Sequence, residues 1–138
     1  MVVASDGCGW QNNERDINIT LKGDSFFDKF KYRLDILRNL KSFKGFDVVQ
    51  IISPVFLKVN AKDILKIFSY LKKHNRKVFL GAFGTDYYYT KACLENKFRY
   101  SDFMVPGMKG ELPENNINWT KSPLKELNET LAEKCDGI

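Results

Sequence analysis

The stretch KVFLGAFGTDYYY, Lys77 to Tyr89, decides how the chain is read. Val78 to Phe83 is a short apolar run of the kind that forms a buried strand, and Gly84 breaks it. Beyond the glycine the chain delivers Thr85, Asp86 and three tyrosines into a loop. In an open parallel sheet, ligands sit beyond the carboxyl ends of the strands, so this small, acidic turn is where chemistry is expected. The remaining segments are expected to scaffold that rim.

Working outward, the chain before Lys77 alternates strand and helix patterns. Asp47 to Ser53, DVVQIIS, reads as a central parallel strand that Pro54 stops. Asn60 is the expected N-cap of the next helix, with Asp63 in the capping-box position. Ile64, Ile67, Phe68 and Leu71 form its buried stripe and Lys62, Lys66 and Lys73 its exposed one. His74-Asn75 closes it, Asn75 being suited to a left-handed turn. Upstream, Asp24 is expected to cap a helix whose buried face is Phe26, Phe30, Leu34, Leu37 and Leu40, with Phe27 at its margin; Gly45 ends that helix. Asp16 to Leu21, DINITL, alternates as a short edge strand or extended loop. The opening MVVAS reads as a strand leaving the sheet through the turn DGCGWQNN.

Downstream, Tyr87 to Asn118 loses periodicity yet stays aromatic, which marks a surface-building insertion with a short helix near Tyr89 to Glu95. Ser122-Pro123 begins a last helix with Leu124, Leu127 and Leu131 inward. The terminal CDGI reads as the start of another strand. This order predicts an α/β fold, a Rossmann-like three-layer sandwich on a parallel sheet. It is read as one domain, 1 to 138, truncated at both ends and lacking an opening strand between VVAS and DVVQIIS. Two parallel edges would then lie exposed, favouring self-association or altered strand pairing.

Composition narrows the class. At 138 residues, 43% hydrophobic and 14% aromatic, the chain can bury a core. No run approaches the ~18 to 20 apolar residues of a bilayer span, and the start lacks a signal-peptide pattern, so a cytoplasmic location is expected. Cys8, Cys93 and Cys135 lack metal-site spacing and are read as reduced thiols. The net charge of +5 is uneven: thirteen Lys or Arg face four acids between Phe26 and Lys77, whereas residues 111 to 138 carry six acids and three lysines. That basic field either attracts an anionic partner or lies on solvated helix faces. His74, the one histidine, sits at a helix end among basic residues, so no metal is expected.

The motifs GxGxxG, GxxxxGK[ST] and GxSxG are absent. Three rim segments remain: Asp6-Gly7-Cys8-Gly9-Trp10-Gln11, Ser53-Pro54-Val55 and Gly84-Thr85-Asp86-Tyr87. Glycines permit close backbone approach, Trp10 and Tyr87 offer stacking faces, and Asp6 and Asp86 accept hydrogen bonds from hydroxyls. A polyhydroxylated ligand suits that set. The structural alternative is that the aspartates cap loops or helices and the aromatics fill the core.

DVVQIISP, then KVFLGAFGTD, then CDGI resembles the N-terminal domain of nucleotide-sugar glycosyltransferases of the GT-B fold, the retaining group called glycosyl transferases group 1. Asp47 to Pro54, Gly84 to Asp86 and Asp136 to Ile138 carry the likeness, and VVASDG resembles the family's second strand. Phe83 and Gln50 stand where the family often has histidine, and the E-x7-E donor motif is absent. The resemblance implies an acceptor-side domain, inactive alone, serving a glycan or lipid-linked acceptor. It implies no cofactor here, the nucleotide sugar being held mainly by a C-terminal GT-B domain. Asp86 would be catalytic, with Asp6, Gly7, Gly9, Trp10, Ser53, Pro54, Gly84, Thr85 and Tyr87 lining the acceptor site. Family members that build lipid-linked glycans often dock on membranes, a role open here to Lys29, Lys31, Arg33 and Arg38. The alternatives are a non-enzymatic basic α/β binding module for an anionic partner and a flavodoxin-like nucleotide binder. Nucleic acid is not expected, because the aromatics do not interleave with the basic residues on one strand face.

Overall fold

The computed structural model describes residues 3–4, 16–81, 86–95, 97–98 and 117–138. They form an α/β structure of four strands and four α-helices. The strands are β1 (Val3–Ala4), β2 (Ile17–Asn18), β3 (Val48–Ile51) and β4 (Lys77–Leu80). The helices are α1 (Phe26–Asn39), α2 (Ala61–His74), α3 (Tyr87–Leu94) and α4 (Leu124–Lys134). The chain divides into two compact units, one of residues 1–47 and 55–76 and one of 48–54 and 77–138.

In the first unit, β1 and β2 pair in parallel, Val3 opposite Ile17 and Ala4 opposite Asn18. The expected DINITL strand is thus present but two residues long. VVAS takes β2 as its neighbour, so among the described residues it does not share a sheet with β3, as had been expected. Ser25, not Asp24, caps α1: its hydroxyl accepts from the Asp28 amide at 3.1 Å. Asp24 instead lies 3.9 Å from Lys29 as a solvent-exposed ion pair.

The roll of α1 reverses the expectation. Tyr32 and Ile36 are the buried residues, while Phe26, Phe27, Phe30 and Leu37 are 78%, 80%, 54% and 60% exposed. The cause is a polar anchor. The Lys58 amide donates to the Tyr32 hydroxyl at 3.1 Å, and Arg33 reaches Asp63 on α2 at 3.1 Å, so the inner face is the one whose tyrosine tip finds a partner. A larger apolar arc without such a handle is left facing water.

After α1, a 3-10 turn (Leu40–Phe43) leads to Gly45, whose φ of +84° is the left-handed geometry that glycine adopts freely. The following helix, α2, begins as expected: Asn60 Oδ1 accepts from the Asp63 amide at 2.9 Å, and Asn60 Nδ2 donates to Asp63. Ile64, Phe68 and Leu71 are buried, each worth about 1.5–3 kcal/mol relative to exposure. Ile67, also expected inside, is half-buried. Asn75 is not left-handed but extended, at φ −131° and ψ 158°. Its amide is the reason: Oδ1 accepts from Phe46 N–H at 2.9 Å, and Nδ2 donates to the carbonyls of Phe43 and Leu71 at 2.8 and 2.9 Å. One side chain therefore ties the end of α2 to the turn after α1, beside the Gly45 N–H to His74 carbonyl bond.

The second unit is built on β3 and β4, parallel and in register from Val48 opposite Lys77 to Ile51 opposite Leu80. Ile51, Val78 and Leu80 are buried on one face, with Val49 half-buried beside them. Val48, Gln50 and Ile52 lie exposed on the other face with Lys77 and Phe79. Parallel sheets are ordinarily covered on both faces, and this one is covered on one. The expectation that β3 lies centrally is not met, since among the described residues its strand partner is β4. The CDGI segment does run beside β4. Asp136 N–H donates to the Val78 carbonyl, Leu80 N–H donates to the Gly137 carbonyl, and the Asp136 carboxylate accepts from Val78 N–H at 2.7 Å.

α4 starts at Leu124, one residue past Pro123, the expected first helical residue; Leu127 and Leu131 are buried and Leu124 half-buried. Asn75→Ala should destabilise the protein by roughly 2–3 kcal/mol, because the Phe46 amide and the Phe43 carbonyl each lose a partner. Asn75→Asp, which keeps only the acceptor, should fall between. Urea unfolding measures both, and a loss below about 0.5 kcal/mol for the alanine variant would contradict the role given to this side chain.

Candidate functional site

The parallel pairing sends the carboxyl ends of β3 and β4 to one end of the second unit. Ile51 accepts from Gly81 N–H at 2.6 Å, which places the Ser53-Pro54 exit of β3 beside the exit of β4. Pro54 is buried and Ser53 half-buried. Pro54 stops the ladder because it has no amide proton to continue it. Gly84 and Thr85 lie outside the described residues, as do Asp6, Gly7, Gly9 and Trp10. Of the three rim segments, the described residues place Ser53-Pro54 beside the exit of β4 at Gly81.

Asp86 sits at the start of α3 and is 9% exposed. Its backbone is extended, φ −140° and ψ −173°, and its Oδ1 accepts from the Tyr89 amide at 2.8 Å. This is an N-cap, one of the two roles open to it from the sequence, and it starts α3 at Tyr87 rather than Tyr89. A carboxylate offers about four lone-pair positions, of which the Tyr89 amide uses one.

The aromatic residues of α3 divide by position. Tyr87 is buried, with Lys91 Nζ 5.8 Å and Lys125 Nζ 5.9 Å from its ring centroid, so two cations flank the ring in the cation–π range. Its neighbour Tyr88 is 46% exposed and packs edge-on against it at 5.1 Å. Burial first, then the negative charge of Glu129, Tyr87 and Asp86, holds the Tyr88 phenol above its usual 10, with Lys91 opposing. Tyr88 is therefore a neutral hydroxyl donor near neutral pH, presented beside Asp86. The sequence reading chose Tyr87; the three consecutive tyrosines on a helix start held the signal, because residues one apart cannot share a face. Thr90, one turn on from Asp86, is fully buried, and among the described residues its hydroxyl has no hydrogen-bond partner.

The basic residues are placed as follows. Lys29, Lys31, Arg33 and Arg38 are all exposed on α1. The 3.6-residue period puts Phe26, Phe30 and Leu37 on one stripe with Phe27 and Leu34 beside it. Lys29 and Arg33 border that stripe on one side and Lys31 and Arg38 on the other, while Tyr32 and Ile36 lie on the far side. The four cations thus frame an outward apolar surface that the sequence reading had assigned to the core.

Among the described residues no cluster of His, Cys, Asp and Glu has metal-binding geometry, and no helix is long and apolar enough to cross a membrane. Cys93 is buried and Cys135 half-buried, both as thiols. Comparison with family models, curated proteins and solved structures returns no match for the chain.

Asp86→Ala should cost about 1 kcal/mol through loss of the cap, whereas Asp86→Asn, an equally good cap, should stay within a few tenths of wild type. Denaturant unfolding of the pair checks this, and equal losses for both variants would contradict the cap.

Proposed function

We propose that the chain is the acceptor-side domain of a GT-B glycosyltransferase that moves a sugar from a nucleotide-sugar donor to a lipid-linked or surface glycan at an anionic membrane. On this reading the parallel pair belongs to a Rossmann-like three-layer sandwich, and the donor is held mainly by a C-terminal domain. The observation that carries the reading is the outward stripe of α1. An exposed row of Phe26, Phe27, Phe30 and Leu37, framed by Lys29, Lys31, Arg33 and Arg38, matches an interfacial helix: rings enter the headgroup boundary while long cationic side chains reach the phosphates.

Support for the transfer chemistry is narrower. It comes from the resemblance at Asp47 to Pro54 and Gly84 to Asp86, together with the shared strand end to which Ser53, Pro54 and Gly81 are brought. On this reading the Asp86 oxygen that does not cap α3 would accept from an acceptor hydroxyl, with the neutral Tyr88 phenol as a neighbouring donor. Ser53, Gly84 and Thr85 would border the acceptor.

A second reading, a non-enzymatic module for an anionic partner, is favoured by one observation. Asp86 is nearly buried and already serves as a cap, which is a complete structural role. The two readings share the membrane face and differ at the strand ends.

The test is made with the enzyme that contains this domain. Transfer of labelled sugar from a panel of UDP-, GDP-, dTDP- and CMP-sugars into a membrane lipid extract should occur. Asp86→Asn should lower turnover at least tenfold with its unfolding midpoint unchanged. Absence of transfer from every donor, with retained binding to anionic vesicles, would replace the transferase by the binding module.

A further inference from the structure

The outward face of α1 changes character along its length. Steps of three and four residues carry one line through Phe26, Phe30, Leu34, Leu37 and Lys41. Leu40 keeps helical backbone, φ −55° and ψ −35°, so the line crosses into the 3-10 turn without a break. Residues three apart eclipse in such a turn, which brings Lys44, just past its end, behind Lys41. The line therefore begins in phenyl rings, passes through leucines and ends in two exposed lysines, roughly 20 Å from Phe26 to Lys41. We propose that this face enters the bilayer obliquely, with the Phe26 and Phe30 end in the acyl boundary and Lys41 and Lys44 at the headgroup phosphates of anionic phospholipid. The inference rests on the membrane reading of α1 and gives that surface an orientation and a second anchor beyond the helix.

Charge divides the same way. Asp24, Asp28 and Lys29 lie at the aromatic end, so that end offers an anionic surface no surplus of positive charge. Three of the four cations that frame the stripe are already engaged: Lys29 with Asp24 at 3.9 Å, Arg33 with Asp63 at 3.1 Å and Arg38 with Asp35 at 3.3 Å. Lys31, the fourth, stands on the flank between the two ends. Among the described residues no carboxylate pairs with Lys41 or Lys44. Asp47, the next acid along the chain, lies 3.6 Å from Arg76. A paired cation carries its carboxylate, and that carboxylate's repulsion, toward a phosphate, whereas an unpaired ammonium brings its full charge.

Depth follows from this division. Phenyl rings gain by leaving water and draw their end of the helix inward, while ammonium groups stay with phosphate and water. Seven residues, about 10 Å of helix, separate Phe30 from Leu37, enough for the two to sit at different depths. Lys62 and Lys73 on α2 supply a control. They too are exposed lysines of the first unit that no carboxylate holds among the described residues, and they lie outside the α1 face.

The experiment measures co-sedimentation with mixed phosphatidylglycerol and phosphatidylcholine vesicles over a range of salt. Lys41→Gln combined with Lys44→Gln should weaken binding at least tenfold and flatten its salt dependence, an ammonium near an anionic surface contributing about fivefold. Lys62→Gln combined with Lys73→Gln makes the same change in net charge and should weaken binding less than twofold, the circular dichroism spectrum being retained in both variants. With brominated acyl chains in the same vesicles, Phe30→Trp should be quenched most from deeper positions than Leu37→Trp, each read against the unsubstituted protein. Equal losses from the two lysine pairs would overturn the anchor, and quenching of both tryptophans at one depth would overturn the oblique entry; each result leaves the membrane reading standing. Failure of the unsubstituted protein to sediment with these vesicles would overturn the membrane reading and the inference with it.

Discussion

The parallel pairing of β3 and β4 is the constraint on which the second unit depends. Parallel neighbours cannot be joined by a tight turn, so a crossover is required, and the intervening residues include α2. The same pairing fixes which ends meet: the exits of β3 and β4 at Pro54 and Gly81 emerge together. Asp136 extends this arrangement. Its carboxylate takes the Val78 amide and its own amide donates to the Val78 carbonyl, so the C-terminal segment follows β4 without a regular ladder. Lys77, 3.7 Å from the same carboxylate, partly balances its charge.

A second, independent constraint sets the roll of α1. The helix has two apolar arcs, and burial follows the one that brings a hydrogen-bonding tip. Tyr32 buries its ring and satisfies the Lys58 amide in one move, whereas Phe26, Phe30 and Leu37 carry no hydrogen-bonding tip to bury. The consequence reaches function. Aromatic side chains left in water, framed by cations, are unfavourable for a free protein and favourable for one at a lipid interface.

What could be read beforehand follows the range of the forces involved. α2 was legible because its cap, stripe and basic face are all local, and Asn60, Asp63, Ile64, Phe68 and Leu71 behave as their spacing requires. β4 and α4 were legible for the same reason. The roll of α1 was not, because the deciding contact joins Tyr32 to Lys58, 26 positions away. Asn75 was misread because its amide reaches Phe43 and Phe46, which no local rule foresees. At the strand ends, the sequence indicated that Asp86 mattered but left open its role, and only the Tyr89 amide distance identifies the cap. Tyr88 was overlooked in favour of Tyr87, since which of adjacent helical residues faces solvent depends on what packs against the helix.

The central claim is that α1 turns its aromatic stripe into an anionic bilayer, and depth of insertion tests it most directly. A Phe27→Trp variant is measured against vesicles of phosphatidylglycerol carrying bromine at successive acyl positions, after subtraction of the Trp10 and Trp119 background. The account predicts quenching strongest from bromines on the upper acyl carbons, about 5–10 Å below the headgroup boundary, and none with neutral phosphatidylcholine. Emission unchanged by every brominated lipid, with the fold intact, would contradict it.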